Sequence, residues 1–310
     1  MSINVLYAGN PAKWPEYRTR LTDALTGAGL DARVDPDMAP AEVDYIVYAP
    51  TTPIEDFAPY TRLKAVLSLW AGVEKIVGNP TLRVPLTRMV DDGLRLGMVE
   101  WVTGHVLRHH LGMDAHILGQ DGVWRQETPP LAADRPVTIL GLGALGAACG
   151  QALARLGFPV TGWSRSAKDV DGIRCLSGED GLRAALKDAQ IVVLLLPLTP
   201  ETENLMNADR LALLPRGAVL INPGRGPLID DEALLAALDA GHLGHATLDV
   251  FRQEPLPPGH PYWAHPRVTV TPHIASDTRA ATASLQVAEN IRRSEAGEPL
   301  LHLVDRELGY

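Results

Sequence analysis

The sequence predicts an α/β fold of two doubly wound parallel-sheet domains, and three observations carry that expectation. A strand-forming run, Val137-Thr-Ile-Leu140, enters a glycine-rich turn, Gly141-Leu-Gly-Ala-Leu-Gly146, and leaves it with apolar residues at helical spacing, Leu145, Cys149, Ala152, Leu153 and Leu156. Strand-like and helix-like segments alternate along the chain, as they do where crossover helices join parallel strands. Ile191-Val-Val-Leu-Leu-Leu196 is apolar throughout, the pattern of a central strand covered on both faces. At 310 residues the chain has room for two domains, each with its own core.

In the first hundred residues the pattern predicts strands over 3–7, 32–34, 45–48, 65–69 and 86–90, with a helix over 17–26 whose apolar residues recur every three to four positions. These make a small parallel sheet with flanking helices. A helix over 98–118 follows, with Val99, Val102, Val106 and Ile117 at core-like positions, then a proline- and acid-containing loop over 126–136. From 137 onward strands are expected at 137–140, 159–163, 173–176, 191–196, 218–221, 246–250 and 268–271, and a last helix over 278–296. No repeat or low-complexity linker interrupts the chain, so helices rather than a flexible tether join the two halves.

Composition limits the function classes. A net charge of −9 with no basic stripe argues against a nucleic-acid partner. No apolar run approaches the roughly 18 residues of a membrane helix. The start, Met1-Ser-Ile-Asn-Val-Leu, lacks the basic region and cleavage site of a signal peptide, so a soluble, cytoplasmic protein is expected. Cys149 and Cys175 read as small buried hydrophobes; neither a CxxC spacing nor a clustered ligand set points to a metal.

The glycine turn points to a dinucleotide. Gly141 allows the tight turn, Gly143 lets the backbone approach a pyrophosphate, and Gly146 lets the helix lie close on the strand. The acidic residue that usually follows the second strand, to bind the adenine-ribose hydroxyls, is absent. In its place stand Ser164, Arg165 and Ser166, with Lys168 close behind. A hydroxyl followed by a guanidinium can bind and neutralise a 2′-phosphate that a carboxylate repels, which favours NADP(H) over NAD(H), with NAD(H) still possible. Arg165 and Lys168 are also compatible with plain solvated loop charges.

Three polar residues follow three successive late strands: Arg225 in Asn222-Pro-Gly-Arg-Gly226, Glu254 in Phe251-Arg-Gln-Glu-Pro255, and His273 after 268–271. In a parallel sheet the C-terminal strand ends share one rim, where ligands bind. Arg225 can hold a carboxylate in a fork and polarise a neighbouring carbonyl. His273 can give a proton to a carbonyl oxygen, and Glu254 can orient its imidazole and stabilise the charged form. Singly, each also reads as an ordinary structural or surface residue; together, after consecutive strands, they read as catalytic.

These residues resemble the D-isomer-specific 2-hydroxyacid dehydrogenases over essentially the whole chain. The likeness rests on Gly141-Leu-Gly-Ala-Leu-Gly146, Leu195-Leu-Pro-Leu-Thr-Pro-Glu-Thr202, Ile221-Asn-Pro-Gly-Arg-Gly226, Leu248-Asp-Val-Phe-Arg-Gln-Glu-Pro255 and Thr271-Pro-His-Ile274. Trp163-Ser-Arg165 and the ending Val304-Asp-Arg-Glu-Leu-Gly-Tyr310 resemble the bacterial glyoxylate/hydroxypyruvate reductase A branch.

The resemblance implies a Rossmann cofactor domain over 99–274 and a smaller flavodoxin-like substrate domain, discontinuous over 1–98 and 275–310, with the active site in the cleft and a homodimer as the active unit. It implies Arg225, Glu254 and His273 as the catalytic trio. For the cofactor it implies Gly141, Gly143, Ala144, Leu145, Gly146, Ser164, Arg165, Ser166, Lys168, Leu196, Pro197, Pro223, Gly224, Arg225, Asp249 and His273. For the substrate it implies Arg225 and His273, backbone N–H groups of Ala71 and Gly72, and pocket walls from Tyr48, Trp70 and Trp263, aromatics that also suit a core. Asp249 also fits a simple strand-end cap, and Ala71-Gly72 a plain strand-to-helix turn.

The expected reaction is NADPH-dependent reduction of a small 2-oxo acid, such as glyoxylate or hydroxypyruvate, to the 2-hydroxy acid. Another dehydrogenase of the family, acting on phosphoglycerate or bulkier 2-oxo acids, and a non-enzymatic nucleotide-sensing corepressor of the same fold are the alternatives. Two features depart from the family pattern: the Pro-Gly pair before Arg225, and Trp70 in place of a common glycine two residues before Gly72.

Overall fold

A computed structural model of the chain describes residues 2–52 and 54–310. The chain forms two compact units, Met1–Leu94 with Asp277–Tyr310, and Arg95–Ser276.

The first unit contains strands β1 (Ile3–Ala8), β2 (Ala32–Asp35), β3 (Tyr45–Tyr48), β4 (Ala65–Ser68) and β5 (Leu86–Thr87), with helix α1 (Trp14–Gly27) after β1. All pairings are parallel and the order is β2-β1-β3-β4-β5, the flavodoxin-like winding. The period of two sorts the strand residues. Val5, Tyr7, Tyr45, Val47 and Leu67 pack with Leu21 and Leu25 of α1 and with Val287 and Ile291 of the C-terminal helix (Ala280–Glu295). Leu6, Ile46, Tyr48 and Val66 pack on the other face with Phe57, Ile76 and Leu82. Thr87 forms an antiparallel bridge with Leu303, and the Arg306 guanidinium donates to the carbonyls of Val77, Asn79 and Leu82, so the C-terminal tail covers the short β5 edge.

The chain enters the second unit along α2 (Asp92–His110), followed by the short α3 (Met113–Ile117). Its strands are β6 (Val137–Leu140), β7 (Val160–Ser164), β8 (Arg174–Ser177), β9 (Ile191–Leu194), β10 (Ala218–Asn222), β11 (Leu243–Leu248) and β12 (Val268–Val270). They pair in parallel in the order β12-β11-β10-β9-β6-β7-β8, a Rossmann winding that reverses between β6 and β9. Helices α4 (Ala144–Arg155), α5 (Gly178–Lys187), α6 (Ala208–Leu211) and α7 (Asp231–Asp239) connect them, and α8 is the C-terminal helix. Ile139, Val193 and Ile221 pack against Val102, Val106, Cys149 and Leu153; Leu140, Val192, Leu194 and Leu220 pack against Leu182, Leu186, Leu234 and Leu238.

Several expected elements change. The helix expected over 98–118 begins at Asp92 and stops at His110, where Gly112 takes a left-handed φ of 63°. Ile117 then falls on the short α3, exposed rather than in the core, while Val102 and Val106 are buried and Val99 is half-buried. The apolar run at 191–196 is strand only to Leu194, and the strand expected to 90 stops at Thr87. Cys149 is buried as expected, but Cys175 is only half-buried.

Gly146 sits where the first turn of α4 crosses the end of β6, and a Cβ there would lie 1.8 Å from the Gly141 carbonyl oxygen. Gly146→Ala should therefore cost about 1–3 kcal/mol of stability, the range for forced overpacking. Gly181→Ala, inside α5, meets nothing closer than 3.4 Å and should gain about 0.5–1 kcal/mol from helix propensity. Chemical denaturation of both variants checks this, and a neutral Gly146→Ala would mean the helix does not approach the turn this closely.

Candidate active site

The glycine turn closes β6. Gly141 takes φ 109°, and a Cβ there would meet the Leu195 carbonyl oxygen at 2.5 Å, so the turn accepts only glycine. Gly143 is the N-cap of α4, which has no side-chain cap and no acid in its first turn. A Cβ on Gly143 would meet nothing within 4 Å. The amides at the start of α4, from Ala144 through Leu145 to Gly146, thus sit at an uncapped helix end beside open space, which suits an anion.

At the end of β7 the buried Ser164 donates its Oγ proton to the Ser166 carbonyl at 2.8 Å, curling the turn that carries Arg165. The exposed groups of that turn are Arg165, Ser166 and Lys168. After β9, Leu196 is buried, and Thr202 Oγ1 donates to the Pro197 carbonyl at 2.8 Å, fixing the loop beyond the strand.

Three adjacent parallel strands, β10, β11 and β12, bring Arg225, Glu254 and His273 to one rim. Gly226 makes this possible, because a Cβ there would meet the Phe251 carbonyl carbon at 2.0 Å; the Arg225 loop lies directly on the loop that leads to Glu254. Glu254 uses both oxygens. Oε1 accepts from Phe251 N at 2.9 Å, and Oε2 lies 2.7 Å from His273 Nδ1. The Arg225 guanidinium donates through Nη1 to the Gly224 carbonyl at 2.7 Å, and Pro223 and Gly224 beside it are buried.

The charges of the three residues act on one another. The hydrogen bond that His273 Nδ1 donates to Glu254 raises the His273 pKa above the ordinary histidine value, against burial and the Arg225 charge, which lower it. Burial pushes Glu254 up, but its bonds to His273 and the Phe251 N–H, with the nearby positive charges, leave it below the usual range. His105, His109, His110, His245 and His302 shift the other way: burial lowers each, His109 to about 3 and His245 to about 4. His109 and His245 bond Thr247 and Thr269 inside the contact between α2 and the sheet. His273 instead is 47% exposed and holds its proton more firmly.

Asp249 supports the histidine from below. It is fully buried, its Oδ1 accepts from Thr271 Oγ1 at 2.5 Å and Ile274 N at 2.9 Å, and its Oδ2 accepts from Ala275 N at 2.8 Å. Its main-chain oxygen also accepts from His273 N at 2.8 Å. Both carboxylate oxygens are thus engaged by the 271–275 loop.

In the first unit, Tyr48 is buried at the end of β3 with its ring 6.2 Å from that of Phe57. Trp70, Ala71 and Gly72 follow β4, and Trp70 N donates to Ser68 Oγ at 3.1 Å. The N–H groups of Ala71 and Gly72 find no acceptor among the described residues. Trp263, in the second unit, is exposed, with Nε1 donating to the Pro257 carbonyl at 3.0 Å.

Three contributors were not singled out in the sequence. Asn222 clamps the Arg225 loop, Thr271 engages Asp249, and Arg252 ties the Glu254 loop to the Ile229 carbonyl at 2.6 Å and to Asp231 at 3.5 Å. The only sequence signal was their position beside the motifs. Among the described residues no cluster of histidine, cysteine or acidic side chains could hold a metal, and no helix is long and apolar enough to cross a membrane.

A sequence profile described as D-isomer specific 2-hydroxyacid dehydrogenase, NAD binding domain, matches residues 103–275. The chain is 41% identical over 304 residues to a glyoxylate/hydroxypyruvate reductase A from Serratia proteamaculans, covering 95% of this chain and 96% of that one. Among solved structures it resembles a D-isomer specific 2-hydroxyacid dehydrogenase from Xanthobacter autotrophicus crystallised with NADPH and MES, at 44% identity and a TM-score of 0.94 over the full length of both chains. It also resembles an NADPH-dependent glyoxylate/hydroxypyruvate reductase from Sinorhizobium meliloti crystallised with NADP and sulfate, at 38% identity and a TM-score of 0.87, again with full coverage of both. With its two parallel-sheet units and its glycine turn, the chain belongs to the D-isomer specific 2-hydroxyacid dehydrogenases, an NAD(P)-dependent oxidoreductase family.

Proposed function

We propose that this chain is a cytoplasmic, NADPH-dependent reductase of short 2-oxo acids, glyoxylate and hydroxypyruvate foremost. The observation that carries the reading is the His273–Glu254 pair: a histidine whose proton is held by a carboxylate 2.7 Å away, beside an arginine on the same rim. The A-branch relative and the Sinorhizobium meliloti reductase support the choice of substrate.

On this reading the first unit is the substrate domain and the second binds the cofactor. The open space at Gly143 and the uncapped start of α4 fit a pyrophosphate, held by the backbone of Gly141, Gly143, Ala144, Leu145 and Gly146. Arg165 and Lys168, with Ser166, would receive a 2′-phosphate on the turn that the buried Ser164 hydroxyl curls, a choice supported by the NADPH and NADP of the similar structures. Leu196, Pro197, Pro223 and Gly224 would line the nicotinamide half, with the buried Asp249 supporting it. When bound, the dinucleotide supplies hydride to the substrate's carbonyl carbon.

Arg225 binds the substrate carboxylate and polarises the adjacent carbonyl. His273, protonated and held through Nδ1 by Glu254, gives the carbonyl oxygen a proton from Nε2. Within the first unit the reading assigns the N–H groups of Ala71 and Gly72, with Tyr48 and Trp70, to substrate binding, and within the second unit it assigns Trp263. We take the active form to be a homodimer. Exposed apolar side chains between 111 and 131, Trp124 at 90% among them, support a surface for a second copy.

The direct test is NADPH oxidation with glyoxylate, hydroxypyruvate, pyruvate and phenylpyruvate, repeated with NADH. Fast turnover of glyoxylate and hydroxypyruvate with NADPH is expected, and Arg165→Ala should lower kcat/KM for NADPH about tenfold while leaving NADH nearly unchanged. Tight cofactor binding without turnover of any acid would overturn the reading. His273→Ala should lower kcat about 10²- to 10⁴-fold with little change in cofactor affinity. Arg225→Ala should chiefly raise the KM of the 2-oxo acid, by about tenfold or more; equal, unimpaired activity in both variants would refute the assignment.

Reduction needs the imidazolium, and the folded pKa of His273 lies above the ordinary value. Activity should be full below that raised pKa and fall as pH rises through it, with oxidation of the 2-hydroxy acid changing in the opposite sense. In Glu254→Gln the fall should move to lower pH. A flat profile, with chemistry rate-limiting, would remove His273 from the proton step.

A further inference from the structure

We infer that Asn222 is a positioning residue that sets the Arg225 guanidinium; the inference rests on the reading of Arg225 as the carboxylate clamp. Asn222 ends β10, is fully buried, and its amide is used at both ends. Oδ1 accepts from Gly224 N at 3.1 Å, and Nδ2 donates to the Arg225 carbonyl at 2.9 Å. Between those two groups lies the Gly224 carbonyl, which accepts from Arg225 Nη1 at 2.7 Å. One side chain therefore holds the backbone on both sides of the peptide on which the guanidinium is seated.

The residues flanking Arg225 offer no side chain of their own for this. A Cβ at Gly224 would meet the Leu194 carbonyl oxygen at 2.8 Å, and one at Gly226 would meet Phe251 at 2.0 Å, so both flanking positions are bare backbone. Leu228 N also donates to the Arg225 carbonyl, at 3.2 Å, but it does not reach the Gly224 N–H. If the Asn222 amide is removed, the peptide between residues 224 and 225 can turn, and the seat of the guanidinium turns with it. Asn222→Asp keeps an acceptor for Gly224 N but loses the donor, and sets a carboxylate oxygen against the Arg225 carbonyl. Asn222→Ser keeps a small polar group without the reach to bridge both.

The experiment is steady-state kinetics of the full chain with NADPH and glyoxylate for both variants, alone and combined with Arg225→Ala, alongside melting curves with and without NADPH. A role through Arg225 predicts a KM for glyoxylate raised about five- to tenfold, a KM for NADPH within about twofold of the parent, and an unmoved pH of decline. In the Arg225→Ala background the same substitutions should add less than about twofold to that KM. The inference is overturned if folded variants keep the parent KM, if both KM values and kcat shift together, or if the effect persists without Arg225. Failure of both variants to melt cooperatively would assign Asn222 to the fold alone and overturn it as well. If Arg225→Ala by itself leaves the glyoxylate KM unchanged, the clamp reading is what has failed, and the two outcomes are thereby told apart.

Discussion

The buried carboxylate of Asp249 holds the rim of the second sheet in its shape. A carboxylate removed from water is costly unless its oxygens are bonded. Here Oδ1 takes the Thr271 hydroxyl and the Ile274 N–H, and Oδ2 takes the Ala275 N–H. The chain between these donors must bend sharply, and His273 takes the bend with φ 54°, in the left-handed region that disfavours a side chain by about 1–2 kcal/mol. The bonds to Asp249 offset that strain. The result is a histidine whose backbone N–H returns to the Asp249 carbonyl while its ring turns to Glu254.

From that anchor the other groups follow by topology. β12, β11 and β10 lie side by side and run the same way, so residues far apart in sequence leave the sheet at one edge. Bare backbone at Gly226 lets the loop after β10 rest on the loop after β11, which brings Arg225 within electrostatic reach of both Glu254 and His273. The glycine turn after β6 and the Ser164 turn after β7 lie on the same rim beyond the winding reversal. Ligand binding at such a reversal is general to these sheets, because the crossover helices there depart to opposite faces and leave a crevice.

What was legible in the sequence was what periodicity and strand order dictate. Alternation placed the strands of both sheets to within a few residues, and the positions of Arg225, Glu254 and His273 after consecutive strands foretold their convergence. Helical spacing marks an apolar stripe without saying whether this chain covers it, so Ile117 reads as core although Gly112 breaks the helix first. The strand at 191–196 reads too long because Leu195 and Leu196 are as apolar as the strand they follow, although the chain has already turned past Gly141. Asn222 carries no signal of its own, since an asparagine before Pro-Gly looks like any turn residue. Its two backbone bonds exist only once the turn is folded. Likewise the Ser164 hydroxyl, free in the sequence to meet a phosphate, is engaged by the Ser166 carbonyl, which leaves Arg165 and Lys168 as the outward cations.

The charges on the rim set a condition that the proposed chemistry must meet. An arginine placed to hold an anion stands near a histidine that must itself be cationic, and the Arg225 charge does lower the His273 pKa. Glu254 resolves the conflict: its hydrogen bond and its charge, with the charge of Asp249, act against burial and Arg225, and the net shift is upward. On the reading of Arg225 as the clamp, a bound substrate carboxylate neutralises the charge that opposes protonation of His273. On that proposal, substrate binding would raise the proton affinity of the acid that acts on it, and by reciprocity a protonated His273 would favour the bound anion. Once the proton had been given up, the imidazole would be neutral and the hold on the product anion weaker. In the proposed cycle Glu254 would thereby couple proton occupancy to reduction through charges fixed by three strand ends.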